Sequence, residues 1–158
     1  DAWLYHQQLP ELTDLARAFP GLPIVLTHMA GPLGIGPYAD DRAAVFRQWE
    51  SGLSELACCP NVFVKLGGRT MSMSGFGWHK RPCPPGSAEL AETLAPYFDT
   101  CIALFGAERC MFESNFPVDR AGASYTVLWN AFKRATRKYS DAERAMLFRG
   151  AAKGFYDI

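Results

Sequence analysis

Pro23-Ile24-Val25-Leu26-Thr27-His28, closed by Gly31-Pro32-Leu33-Gly34, is the stretch that decides the fold. A short β-branched, apolar run with no polar alternation reads as a strand buried on both faces, as in a parallel sheet. The pattern recurs. Asn61-Val62-Phe63-Val64-Lys65-Leu66 runs into Gly67-Gly68, and Arg109-Cys110-Met111-Phe112-Glu113-Ser114-Asn115 runs into Phe116-Pro117. Ala2 to His6 is a fourth candidate strand. Between these runs apolar residues recur at helical spacing. Leu12, Leu15, Ala16 and Phe19 mark one helix over 9–19, stopped by Pro20-Gly21. Val45, Phe46, Trp49, Leu53 and Leu56 mark a second over 40–58. A third over 87–105 opens on Ser87, with Glu89 in the first turn where the helix dipole favours an acid. Helices over 124–136 and 141–156 complete the chain. The order β-α-β-α-β-α-β-α-α predicts an α/β fold of right-handed βαβ units, with four parallel strands.

Composition narrows the function. Of the 158 residues, 49% are hydrophobic and 20% charged, enough apolar material for a core. Lys+Arg and Asp+Glu are both 16, and no basic stripe interrupts the balance, which argues against a nucleic-acid partner. No segment approaches the roughly 20 apolar residues of a membrane span. The five cysteines form no CxxC pair, so zinc-ribbon and thioredoxin chemistry is not expected. Cys58, Cys101 and Cys110 lie among apolar residues and are expected to be buried free thiols, which suits a reducing, cytoplasmic compartment. The chain opens on Asp1-Ala2-Trp3-Leu4-Tyr5-His6, without an initiator Met, and is expected to begin inside a domain.

The reactive side chains gather at strand ends. One candidate strand ends at His6, another at His28, a third at Glu113-Ser114-Asn115. Parallel α/β proteins build their sites at the carboxyl ends of strands. A lone histidine there fits a buried, hydrogen-bonded core residue; two at equivalent positions favour a shared site. Alternation puts Ile24, Leu26 and His28 on one face, and Met111, Glu113 and Asn115 on one face. With His28 and Asn115 turned inward, Glu113 also points inward, about 7 Å deeper along its strand. A carboxylate so buried needs a partner, either a structural ion pair or a histidine that it orients. The long connection 67–86, rich in Gly and Pro, follows a strand end and carries Arg69, Trp78 and His79, candidates for gripping an acidic or ring-shaped substrate. The glycine-rich 31–36 lacks a nucleotide-binding order of residues.

Three segments together resemble the amidohydrolase-related (amidohydrolase 2) family. Ile24-Val25-Leu26-Thr27-His28-Met29-Ala30-Gly31-Pro32 is similar to its sixth strand and loop, an apolar run followed by H-x-G-G-P. Cys110 to Asp119 is similar to its eighth strand, G-S-D-(aromatic)-P. Tyr5 to Leu12 resembles its fifth strand and following turn. The resemblance covers nearly the whole chain and points to the lactonase branch, with sugar-lactone, sulfomuconolactone and pyrone-dicarboxylate lactonases. It implies that residues 1–158 are the C-terminal half of a (β/α)₈ TIM barrel, strands five to eight plus a C-terminal helix, with the N-terminal half absent. It implies a small carbonyl or lactone substrate and attack by an activated water. It also implies either a divalent metal, commonly zinc, or a metal-free site. His6 and His28 match the histidines of strands five and six and are the metal candidates.

Two departures qualify those implications. The H-x-H pair of strand one is not in these residues, and Asn115 stands where the family has its proton-carrying Asp. A carboxamide does not titrate near neutral pH and binds metal more weakly than a carboxylate. Glu113 and Asp119 are the remaining carboxylates. The expected activity is hydrolysis of a lactone, ester or amide in the parent enzyme, with this segment alone inactive. The alternatives are a non-enzymatic half-barrel interaction protein and a decarboxylase on the same scaffold. Open barrel edges, with Leu4, Tyr5, Met111 and Phe112 at or near them, predict self-association.

Overall fold

A computed structural model describes all 158 residues. Strands β1 (Ile24–Leu26), β2 (Val62–Leu66) and β3 (Cys110–Phe112) form one parallel sheet in chain order. Ile24 pairs with Val62, and Val64 with both Leu26 and Cys110. Helices α1 (Leu9–Ala18), α2 (Arg42–Ala57), α3 (Ser87–Phe105) and α4 (Tyr125–Ala135) return the chain between and after the strands. A terminal segment follows: α5 (Asp141–Ala145), a π-helical turn (Met146–Gly150) and α6 (Ala151–Tyr156). No helix is long and apolar enough to cross a membrane.

The fourth expected strand is reduced to one residue. Ala2 bridges to Leu26: its N–H donates to the Val25 carbonyl (2.8 Å), and its own carbonyl accepts from the Thr27 N–H (2.9 Å). The ladder stops there because the chain leaves strand geometry at Thr27, so nothing remains for Leu4 or Tyr5 to pair with. His6 then opens a single 3₁₀ turn, His6–Gln8, instead of ending a strand. The cysteine expectation is off by one residue at the end of α2. Cys59 is buried and Cys58 exposed, while Cys101 and Cys110 are buried free thiols as anticipated.

Both sheet faces are covered, as the unbroken apolar runs require. Ile24, Leu26, Val62, Val64, Leu66 and Cys110 face the main core, against Trp49, Leu53, Leu90, Leu94, Phe98 and Phe132 of the helices. Val25, Phe63 and Met111 face the other way and meet Ala151, Ala152 and Phe155 of α6. The terminal segment therefore seals part of the edge expected to be open. Met111 is buried, and Phe112 stacks on Phe132 and Phe148.

Two side chains tie off the amino-terminal end of the sheet. A helix leaves its last carbonyls without backbone partners. The Asn61 amide donates to the carbonyls of Ala16 (3.3 Å), Phe19 (3.1 Å) and Leu22 (2.9 Å), closing α1 onto the start of β2. The Arg109 guanidinium donates to Phe105, Cys59 and Ala57, closing both α2 and α3 onto β3. Replacing Asn61 by Ala removes the one amide nitrogen, with its two N–H groups, that these three carbonyls share. Some of the freed carbonyls reach water, so the expected loss is about 1–2 kcal/mol. The Tm should fall by about 3–6 °C. An unchanged melt of N61A by circular dichroism would show that the cap contributes nothing.

Candidate active site

The carboxyl end of the sheet is built around a reversal of handedness. Directly after β1, His28, Met29 and Ala30 all have positive φ (56°, 54° and 58°), followed by Gly31 at 36°. For residues with a Cβ this left-handed turn costs roughly 1–2 kcal/mol each. The Trp49 indole N–H donates to the Met29 carbonyl (2.6 Å) and pins the turn to α2. Asn115, after β3, is also left-handed (φ 49°), a conformation that asparagine tolerates better than most residues. Such backbone, held against its preference by the surroundings, concentrates at functional sites.

The reversal carries His28 across the sheet to Glu113. The His28 Nδ1 and the Glu113 Oε1 are in direct hydrogen-bonded contact, and the same oxygen accepts from the His28 backbone N–H (3.1 Å). Strict alternation would have put His28 on the face of Leu26, the helix side; the turn, not the strand parity, aims it. The glycines after β2 make room. A Cβ on Gly68 would lie 2.5 Å from the Cγ of His28, and one on Gly67 would collide with Glu113. The signal was present in the sequence as a glycine doublet directly after a strand, but its reason is visible only once His28 is placed.

A second carboxylate lies beneath. Asp119 has no exposed surface. Its Oδ1 accepts from the Asn115 amide (3.2 Å), its backbone carbonyl accepts from the Thr70 hydroxyl (2.9 Å), and its Oδ2 is buried without a partner. Burial pushes its pKa up to about 6; the hydrogen bonds of Asn115 and Thr70 and the charge of His28 pull the other way without cancelling it. The Asn115 amide thus acts as a donor to Asp119 and not as an acid or base itself.

His6 stands apart from this pair. It is buried, its ring edge meets Tyr38 (5.2 Å between centroids), and its Nδ1 accepts from the Leu33 N–H at 3.5 Å. Burial, and then the nearby Arg69 charge, lower its pKa, so it is neutral at pH 7. Its Nε2 is buried without a partner. Of the three loop residues, Arg69 and Trp78 are buried and His79 is exposed. Arg69 donates to the Pro32 carbonyl (2.7 Å) and lies over the ring of Tyr97; Trp78 stacks on Phe76. His79 lines, with Lys80 and Gly34–Gly36, an open cleft between the two loops that follow β1 and β2. The three do not converge on one point of contact.

These donors do not make a zinc site by themselves. No three His, Cys, Asp or Glu side chains come together. His28 gives its Nδ1 to Glu113, and Asn115 turns its amide N–H, not a carboxylate, into the site.

Comparison with known proteins places this geometry. A family model described as amidohydrolase matches residues 3–158. The y4mH protein of Sinorhizobium fredii is 36% identical over the full chain, which spans 46% of that protein. An L-fucono-1,5-lactonase of Burkholderia ambifaria is 33% identical, again over the full chain and 49% of its own length. A Burkholderia multivorans amidohydrolase, solved with bound HEPES and with bound zinc, superposes with TM-scores of 0.85 and 0.83. In both cases it is 26% identical over the whole chain and 52% of its own. The chain thus spans about half the length of the curated relatives it matches, and its βα units correspond to half of a (β/α)₈ barrel. This chain belongs to the amidohydrolase family.

Proposed function

We propose that the chain supplies the strand-end half of a lactone-hydrolysing site, with His28 as the proton-transfer residue and Glu113 as its positioning carboxylate. The contact of His28 Nδ1 with Glu113 carries this reading. With Nδ1–H held by the carboxylate, Nε2 keeps its lone pair and is the nitrogen left to take a proton. Water loses a proton to Nε2, and its oxygen bonds to the lactone carbonyl carbon. The acyl–oxygen bond then breaks, and the departing ring oxygen takes the proton back from the imidazolium, leaving a hydroxy acid. Glu113 in contact, and Asp119 at longer range, stabilise the imidazolium between those steps. Asn115 cannot hold the proton, so its part is to position Asp119. The L-fucono-1,5-lactonase relative suggests a sugar-acid lactone as substrate. The water-excluding walls come from outside these residues, so the segment alone is inactive; with Nδ1 on Glu113 and Nε2 taking the proton, His28 has no nitrogen left for a metal.

Glu113→Gln in the assembled barrel keeps the shape but removes the charge and the tautomer control. It should lower kcat by about 10²–10⁴-fold with KM little changed. Ring opening of L-fucono-1,5-lactone, followed with a pH indicator, measures this; wild-type turnover by E113Q would remove His28–Glu113 from the mechanism. Titration of the isolated chain with zinc in a calorimeter should give a Kd weaker than about 1 μM, since catalytic zinc typically takes three protein ligands. Tighter binding would show that His6 and His28 rearrange to meet the ion.

Asp119 also makes a stability prediction. Its folded pKa, about 6, lies above the ordinary 3.8, so the folded state holds its proton more tightly than the unfolded state. The buried charge therefore destabilises fully above pH 6, and that cost is relieved as pH falls from about 6 towards 3.8. Asp119→Asn should gain most relative to wild type above pH 6, on the order of 2 kcal/mol, and lose that advantage near pH 4. Urea melts across this range would show a pH-independent difference if the carboxylate were not raised.

A further inference from the structure

We propose that Arg69 and Trp49 act together as a two-point clamp that holds His28 on Glu113, which makes both of them positioning residues for the proton transfer. The segment from His28 to Leu33 leaves β1 through the left-handed turn and is fastened at two of its carbonyls. The Trp49 indole N–H donates to Met29 (2.6 Å) from α2, and the Arg69 guanidinium donates to Pro32 (2.7 Å) from the loop after β2. The two donors share one support. The Tyr97 ring of α3 packs against the Trp49 ring (5.4 Å between centroids), and the Arg69 guanidinium lies over the same Tyr97 ring at 4.7 Å. Phe46 packs on both Trp49 and Tyr97 (5.1 and 5.3 Å), and the Phe76 ring lies 5.6 Å from the Arg69 guanidinium. Two helices and the second loop thus hold the turn from one continuous group of rings.

Arg69 is the less expected half of the clamp. It is 3% exposed, forms no ion pair, and its Nε is buried without a partner. Burial pushes its pKa down to about 10, so it remains charged at neutral pH. A charge taken out of water without a counter-ion is costly. A planar guanidinium can cover a ring with its face while its edge donates to a carbonyl, which an ammonium cannot do. Arg69 does both, on Tyr97 and Pro32, and so faces the helix layer. Its place in the chain supplies the reason. Arg69 directly follows Gly67 and Gly68, the two residues whose missing side chains admit Glu113 and the His28 ring. The bond from Arg69 to Pro32 therefore ties the turn that carries His28 to the glycine pair that the histidine crosses. Trp49 ties the same turn to α2. Left-handed backbone at residues with a Cβ persists only where the surroundings hold it. Released from either tie, the turn relaxes and the imidazole leaves the carboxylate.

The consequence for catalysis rests on the role of His28 proposed above, so geometry and turnover are measured separately. Trp49→Phe keeps a ring and removes the donor; Arg69→Met keeps a long side chain and removes the guanidinium. In the folded 158-residue chain, with circular dichroism as the check on folding, NMR of isotopically labelled histidine reads the Nδ1 proton between His28 and Glu113. That signal is assigned by its loss in His28→Gln, and it survives exchange with water only while the hydrogen bond shields it. Wild type should show it. Trp49→Phe and Arg69→Met should each lose or broaden it, and Arg69→Lys, which keeps a donor, should recover part of it. In the assembled barrel each of the first two should lower kcat at least about tenfold with KM changed less than about twofold. The double variant should fall short of the product of the single effects, because both ties act on one turn. If Trp49→Phe does not fold, Arg69→Met against Arg69→Lys makes the same comparison. A folded wild type without the signal, or folded variants that keep it, overturns the clamp. So does Arg69→Met with raised KM and unchanged kcat, which would make Arg69 a substrate contact. Loss of the signal with unchanged kcat and KM upholds the clamp and removes His28 from the proton transfer instead.

Discussion

The contact between His28 and Glu113 is the constraint around which the carboxyl end of the sheet is arranged. A histidine following β1 in strand geometry would face the helices. To reach the carboxylate of β3, the chain spends three consecutive non-glycine residues in left-handed conformation and anchors them through the Trp49 indole. The intervening strand β2 must then end without side chains, and Gly67 and Gly68 meet that demand. Thr70, one turn further on, bonds the Asp119 segment and joins the second loop to the third. Remove the histidine–carboxylate contact and each of these choices loses its reason.

The opposite end of the sheet has the reverse character. There Asn61 and Arg109 saturate carbonyls that helices leave open, and no strained backbone or unpartnered carboxylate lies beside them. These carbonyl-capping side chains sit at the amino ends of β2 and β3, where only the Asn61 Oδ1 is buried without a partner. The carboxyl ends hold the costly items: left-handed residues, a carboxylate without a full set of partners and a buried histidine with one idle nitrogen. This is the division expected where a scaffold carries a site, since groups poised for chemistry are seldom those that hold the fold together.

The βα order was legible because it rests on periodicity and punctuation, and those are local. The helices fall within two residues of the expected ends, and three of four strands appear where apolar runs meet glycine or Phe116-Pro117. The fourth, Ala2 to His6, failed because strand status depends on a neighbour, and β1 turns away after Leu26. Alternation likewise misplaced His28, since parity holds only while the backbone stays extended. Glu113, expected to be a buried acid in need of a partner, is only part-buried, and that His28 is its partner is a tertiary fact. The link from Asn115 to Asp119, four residues along a turn, gives no sequence signal beyond proximity.

The bond from Trp49 to the Met29 carbonyl has an optical consequence. The indole is wholly buried and hydrogen-bonded to the carbonyl in the middle of the left-handed turn. Among the other tryptophans, Trp3 is exposed, Trp78 is stacked on Phe76 and Trp129 borders an open groove with Tyr125 and Phe148. The molecule therefore carries a fluorophore wired to the backbone that aims His28. Relaxation of that turn would wet the indole and shift its emission to longer wavelength, so the state of the site can be followed by light without substrate, metal or label.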